Sequence, residues 1–339
     1  MRPCCLLTAG AAFVVLARLA CGEGLVIPGP LDVKDLGARL APADRDQALD
    51  ALATLRQGWH PSAGGTASGT VTTTYDDNRG EPFSHRTKSA SFSADFAGDA
   101  TALRYDAPAA GGALAKGILS TSKVTIALIR PPARPDGHTT WSLNVGAAPQ
   151  FTNSWYVKPE PASYSYQWFC GLPAVKTDDE LWARARTRAA EVYRAKDVVT
   201  VIVSDNPIQH NLYRFDLARA GALIGYQRWN AHPDSEVDFR MTIDWRMEGT
   251  RALPERYRAY ARVIGGRDWS VATGDVVFKH FSLDAPDPKQ FTIRSLAIPA
   301  HTYVMSALGG AGAPFVYSEK AFKEATGIDA AIPLSETNQ

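Results

Sequence analysis

One stretch constrains this chain more than any other. From Val237 to Met247, apolar and polar residues alternate without a break. Val237, Phe239, Met241, Ile243, Trp245 and Met247 fall on one side, and Asp238, Arg240, Thr242, Asp244 and Arg246 on the other. A period of two belongs to an extended strand, because successive side chains leave opposite faces. One apolar and one polar face predict a long strand in an antiparallel sheet, buried on one side and wet on the other. Parallel strands are covered on both faces and read as continuous apolar runs.

The same logic extends along the chain. Val71–Tyr75 is rich in β-branched residues and stops at the turn cluster Asp76 to Gly80. Ser89–Phe96, Ala102–Tyr105 and Val124–Ile129 read as further strands. After Val198–Val203, which is apolar enough to be covered on both faces, Leu212–Leu217, Ala222–Trp229, Tyr257–Ile264, Val276–Phe281 and Phe291–Ala297 follow, the first of them at hairpin spacing. Short turns between strands argue against a parallel α/β fold. The expectation is a mainly β chain with flanking helices.

Two helices stand out. Pro42 opens the first, Leu49, Leu52, Leu55 and Trp59 recur at helical spacing, and Gly58 is the natural stop. The second begins at Thr177, where Thr177 and Glu180 form a capping box. Leu181, Ala185, Ala189 and Val192 would line one face of it, with Arg184, Arg186 and Arg188 on the wet side. A short polar helix is expected near Glu319 to Glu324, after a Gly-rich loop at Gly309–Gly312.

Residues 1–22 read as a secretory leader: Arg2 is the positive start, Leu6 to Ala17 the apolar run, and Ala20-Cys21-Gly22 the small-residue ending. Cys21 also resembles the acylated cysteine of a lipoprotein signal, although Arg18 stands where Leu is usual, so removal and lipidation both stay open. Residues 23–40 are an extended lead-in, 41–333 a single β-rich domain, and 334–339 a disordered tail. Residues 139–170 form an aromatic insertion with Trp141, Phe151, Trp155, Tyr156, Tyr164, Tyr166, Trp168 and Phe169. Of four cysteines, Cys4, Cys5 and Cys21 lie in the leader, so only Cys170 is secure in the mature chain and no disulfide scaffold is expected.

The residues offer little chemistry. With 36 basic and 35 acidic side chains and no basic stripe, nucleic acid is not a partner of this composition. His60, His85, His138, His210, His232, His280 and His301 are scattered without metal-ligand spacing. There is no Gly-x-Ser-x-Gly elbow and no phosphate loop, so no catalytic residue, metal or cofactor is assigned. A carbohydrate-active enzyme would need two facing carboxylates beside the aromatic segment, and Asp178, Asp179 and Glu180 are the nearest acids.

The order of parts resembles the outer-membrane lipoprotein carrier and sorting proteins, the LolA/LolB-like superfamily. The residues that carry it are the helix Leu49–Trp59, the hairpin Ser91–Phe96 to Leu103–Asp106, and Tyr213–Leu217 followed by Gly225-Tyr226 and Phe239–Trp245. Phe291 to Tyr303 looks like a closing strand. The resemblance implies an incomplete, curved β-barrel with helices in or near its concave face. It also implies a cavity for a hydrophobic small molecule or a lipidated protein, lined by Phe92, Phe96, Phe239, Met241, Ile243 and Trp245, in an exported, periplasmic or outer-membrane-associated protein. A fully packed core is the alternative for those residues. A protein-binding sensor or scaffold of the same fold, and the carbohydrate-active enzyme, are the alternative functions.

Overall fold

The computed structural model describes residues 36–57, 64–78, 84–106, 114–130, 140–147, 177–187, 190–206, 209–232, 235–265, 268–308 and 313–336. The leader, Cys21, Cys170, the Gly309–Gly312 loop and most of the aromatic insertion lie outside them.

In chain order the elements begin with β1 (Ala38–Arg39), α1 (Pro42–Arg56), β2 (Gly65–Asp77), β3 (Ser84–Ala97), β4 (Ala100–Asp106), β5 (Leu114–Ser120), β6 (Val124–Arg130) and β7 (Ser142–Ala147). There follow α2 (Asp178–Ala185), β8 (Ala190–Ala195), β9 (Val198–Asn206), β10 (Gln209–Asp216), β11 (Ala222–His232), β12 (Ser235–Glu248), β13 (Arg251–Gly265) and β14 (Asp268–Ser282). The chain closes with β15 (Tyr303–Ser306), β16 (Phe315–Val316) and α3 (Glu319–Thr326).

All the strands belong to one curved, unclosed sheet. It consists of two meanders, β8 to β14 and β2 to β7, joined where β14 pairs antiparallel with β2. Among the described residues only β7 and β15 pair in parallel, so the expected antiparallel, incomplete barrel is the architecture found. Its edges, β1 and β16, are two residues long each, which leaves little backbone free to recruit another strand.

The sheet buries apolar residues on both faces. On the concave face, Leu49 and Leu52 of α1 and Leu181, Trp182 and Ala185 of α2 pack with Val199, Val201, Tyr213, Phe215, Leu223, Ile243 and Trp245. On the other face, the segment after β14 covers β4 to β7. Phe291, Ile293, Leu296, Val304, Phe322 and Ile328 pack there on Leu119, Ile126, Leu128, Leu143 and Val145. Neighbours in one strand therefore enter different cores: Ile118 the first and Leu119 the second, Ala127 the first and Ile126 the second.

The first helix forms as its spacing requires, with Pro42 in its first turn. Its buried stripe is Ala48, Leu49, Leu52 and Arg56, whereas Leu55 is 37% exposed. In the capping box, the Thr177 hydroxyl accepts from the Glu180 amide at 3.2 Å. The helix then stops at Ala185, well short of Val192, which is buried in β8. Val192 and Tyr193, β-branched and aromatic, find ladder partners in Val201 and Thr200.

Phe291–Ala297 is not a strand. It forms two 3-10 turns, Pro288–Phe291 and Ile293–Leu296. Asp287 caps the first by accepting from the Lys289 amide at 2.9 Å, Pro288 presets helical φ, and the Thr292 hydroxyl donates to the Lys289 carbonyl. Its apolar residues are spaced for a tight turn over the second core, and the closing strand is Tyr303–Ser306 instead. The first residues of the expected tail, Leu334–Glu336, also form a short turn, with Leu334 buried against the same core. Strands β5 and β7, which the sequence reading passed over, complete the second meander.

The alternation at Val237–Met247 produces β12, with two exceptions. Met247 is 41% exposed at the strand end. Asp238, on the expected wet face, is 2% exposed. Arg240 grips its carboxylate through Nε and Nη2, and Gln227 donates to it at 3.1 Å. Arg240 also lies over the Tyr260 ring, 5.8 Å from its centroid. On this convex side Arg258 pairs with Asp244 and Arg256 with Asp275. The wet face thus carries charge-assisted pairs both within β12 and between neighbouring strands.

Candidate functional site

The concave face is best read along the cross-strand rows that the register fixes. One row runs Val203, Asn211, Arg228, Phe239, Ala261, Ala272 across β9 to β14. The next runs Val201, Tyr213, Tyr226, Met241, Ala259, Gly274 and Thr73. Both begin with large side chains near the helices and change to small ones beyond β12.

All six cavity candidates face this side and belong to, or pack on, the concave cluster. Met241, Ile243 and Trp245 are buried, and the Trp245 indole donates to the Leu223 carbonyl at 2.8 Å. Phe92 and Phe96 are buried too, and lie strands away on β3. Phe92 meets Phe278 edge to face at 5.8 Å, and Phe96 meets Phe281 at 5.6 Å. Phe96 also lies over Gly65, where a Cβ would come within 2.4 Å of the ring.

Phe239 differs from the other five. It is half-buried and marks where the tight core gives way. Beyond it, Ala259, Ala261, Ala272, Thr73, Ala90, Tyr105 and Ile129 are also half-buried on the concave side. This arc of wall is apolar, small-residued in its middle and partly accessible.

A polar rim borders the arc at β10 and β11, which the sequence reading missed. Asn211 is fully buried, and the Tyr226 hydroxyl donates to its Oδ1 at 2.9 Å. Tyr213 and Tyr226 rings are 5.1 Å apart, and Tyr226 and Phe239 rings 6.0 Å. Arg228 shares their face and is exposed. No sequence signal isolates this group, because only the register brings Asn211, Arg228 and Phe239 into one row.

Burial pushes the Tyr226 hydroxyl up from its ordinary value of 10.0 to about 12, with Arg228 and Arg184 opposing. Tyr213 is pushed up as well, first by burial and then by Tyr226. Both rings are therefore stable in the fold as neutral phenols. Their contribution to stability is full below about pH 10 and is lost as pH rises through about 12, since the unfolded chain ionises first. Denaturant unfolding across this alkaline range is expected to show a steep loss of stability. Tyr226→Phe and Tyr213→Phe should each make that loss shallower, and an unchanged slope would contradict the assignment.

The acids near the start of α2 do not form a facing catalytic pair. Asp178 is ion-paired with Arg56, and Glu180 lies 3.8 Å from Arg184 on its own helix. Among the described residues, no group of three His, Cys, Asp or Glu side chains could hold a metal.

No family model and no curated protein matches the chain. Solved structures similar to it include two that cover about three quarters of the chain. One is a DUF1329 family protein from Desulfovibrio piger, 12% identical, with a TM-score of 0.39, covering 76% of this chain and 100% of that one. The other is described as an outer membrane lipoprotein-sorting protein domain from Vibrio parahaemolyticus, 11% identical, with a TM-score of 0.37, covering 75% of this chain and 100% of that one.

Proposed function

We propose that this is an exported, non-catalytic protein that holds a hydrophobic ligand against its concave face: a lipid, an acyl chain or a lipopeptide. The observation that carries the reading is the half-buried apolar arc from Phe239 through Ala261 and Ala272 to Ala90. A curved sheet with an apolar inner face must be filled by its own side chains, by a helix or by a ligand. Helices α1 and α2 pack with the β9 to β12 side chains, where the side chains are large. Where the side chains become small, the wall stays partly accessible. The leader-like residues 1–22 support export, and Cys21 at their end is the candidate for a lipid anchor.

Filling the arc is the test. Ala261→Trp and Ala272→Trp place a large ring on the wall at half-buried positions, which the fold can tolerate. Each is expected to weaken binding of a fluorescent fatty acid by about tenfold or more, a change of roughly 1.4 kcal/mol. Unfolding midpoints should stay close to that of the parent. Parent-like binding in both variants would overturn the reading, as would a parent protein that takes up no probe and carries no acyl ligand in native mass spectrometry.

A further inference from the structure

The rim at β10 and β11 says something about the ligand's polar end; this rests on the proposed function. Arg228 stands directly opposite Asn211 on one side and Phe239 on the other, on the concave face. It is exposed, and among the described residues no carboxylate forms an ion pair with it. An arginine on the inner face of a half-barrel, next to the aromatic that opens the apolar arc, is out of place for a packed core. The convex face handles its arginines differently: Arg240, Arg256 and Arg258 all hold aspartates.

A second cation stands near. Arg184 of α2 is close enough that its charge, like that of Arg228, opposes the upward shift of the Tyr213 and Tyr226 hydroxyls. Glu180, 3.8 Å from Arg184, offsets the helix cation and leaves Arg228 as the less compensated one. The row continues from Arg228 over Phe239 to Ala261 and Ala272, a run of three strand spacings or about 14 Å.

We infer that the ligand is an anionic single-chain amphiphile, whose carboxylate or phosphate meets Arg228 while its tail lies over Phe239, Ala261 and Ala272. A guanidinium supplies paired donors for either head group. The apolar row beside it takes the chain, and the charge fixes which way round the chain lies.

Three probes with one tail and different heads test this: palmitate, hexadecyl phosphate and hexadecanol, each titrated against the full mature chain. At least one anionic probe should bind about tenfold more tightly than the alcohol, and which one it is identifies the head group. Arg228→Gln should abolish that preference by weakening the anionic probe, and Arg228→Lys should restore part of it. Equal binding of all three by the parent, or an unchanged preference in Arg228→Gln, would overturn the inference and leave the proposed function standing. If none of the three binds, the proposed function itself fails.

Discussion

Replacing Arg56 with alanine is expected to destabilise the protein by about 3–5 kcal/mol, the cost of breaking a buried charged pair by removing one partner. The side chain is 1% exposed and sits at the end of α1. Its Nε donates to Asp178 Oδ2 at 2.5 Å, its Nη1 to the Gly221 carbonyl at 3.2 Å, and its guanidinium lies 5.6 Å from the Phe215 ring centroid. Three separate parts of the chain therefore meet on one residue: the end of α1, the first turn of α2, and the turn between β10 and β11. Asp178 in a first helical turn and Arg56 in a last one also suit both helix dipoles. Alanine would remove the cation, leave a carboxylate and a carbonyl short of a donor, and open a space beside Phe215. Asp178→Asn is the milder control, at about 1 kcal/mol, because that carboxylate is partly solvated and an amide can still accept. Denaturant midpoints measure both. Equal effects would mean that the ion pair, rather than the buried arginine as a whole, carries the stability.

Arg56 also shows what the sequence could and could not reveal. The helix around it was legible from Pro42 and the Leu49–Leu52 spacing. The spacing predicts a purely apolar stripe that includes Leu55, whereas Arg56 takes the buried place. A buried arginine has no local signature: its partners come from residues 178 and 221, far along the chain. Strands were legible wherever one face is wet, as in β12 and β11. They were harder to read in β5, where Ile118 and Leu119 enter different cores and alternation disappears, and in β7, which is only six residues long. Phe291–Ala297 failed for a related reason. A short apolar run suits a strand or a tight turn equally, and the Asp287-Pro288 start that decides it is a capping signal, not a hydrophobic one. At the candidate site, Phe239, Met241, Ile243 and Trp245 shared a face by period alone. Which of them is half-buried, and that Arg228 stands beside it, depends on register with β11, which period does not determine.

Gly69→Val should have the largest effect of any single substitution on the sheet, about 4 kcal/mol or more, in the range where one clear steric mechanism is needed. A Cβ at Gly69 would lie 2.0 Å from the Val277 carbonyl oxygen and 3.1 Å from the Phe278 Cα. These are backbone atoms of the paired strand and cannot swing aside. The register explains the approach: β14 shifts between Phe278 and His280, directly opposite Gly69 and Ser68. A bulge there bends β14 toward β2, and only a residue without a side chain lets the two backbones come so close. That pairing is also the seam between the two meanders, so its loss separates β8–β14 from β2–β7 rather than fraying an edge. Gly249→Ala is the matched control. Gly249 has φ of +61° but nothing within 4 Å of a Cβ, so its cost should be conformational and near 1 kcal/mol. Amide exchange locates the damage. Gly69→Val should accelerate exchange along β2 and β14 first, while Gly249→Ala should affect only the β12–β13 turn. If Gly69→Val instead unfolds at the parent's denaturant midpoint, the bulge is not a close contact and the seam is not held by backbone proximity.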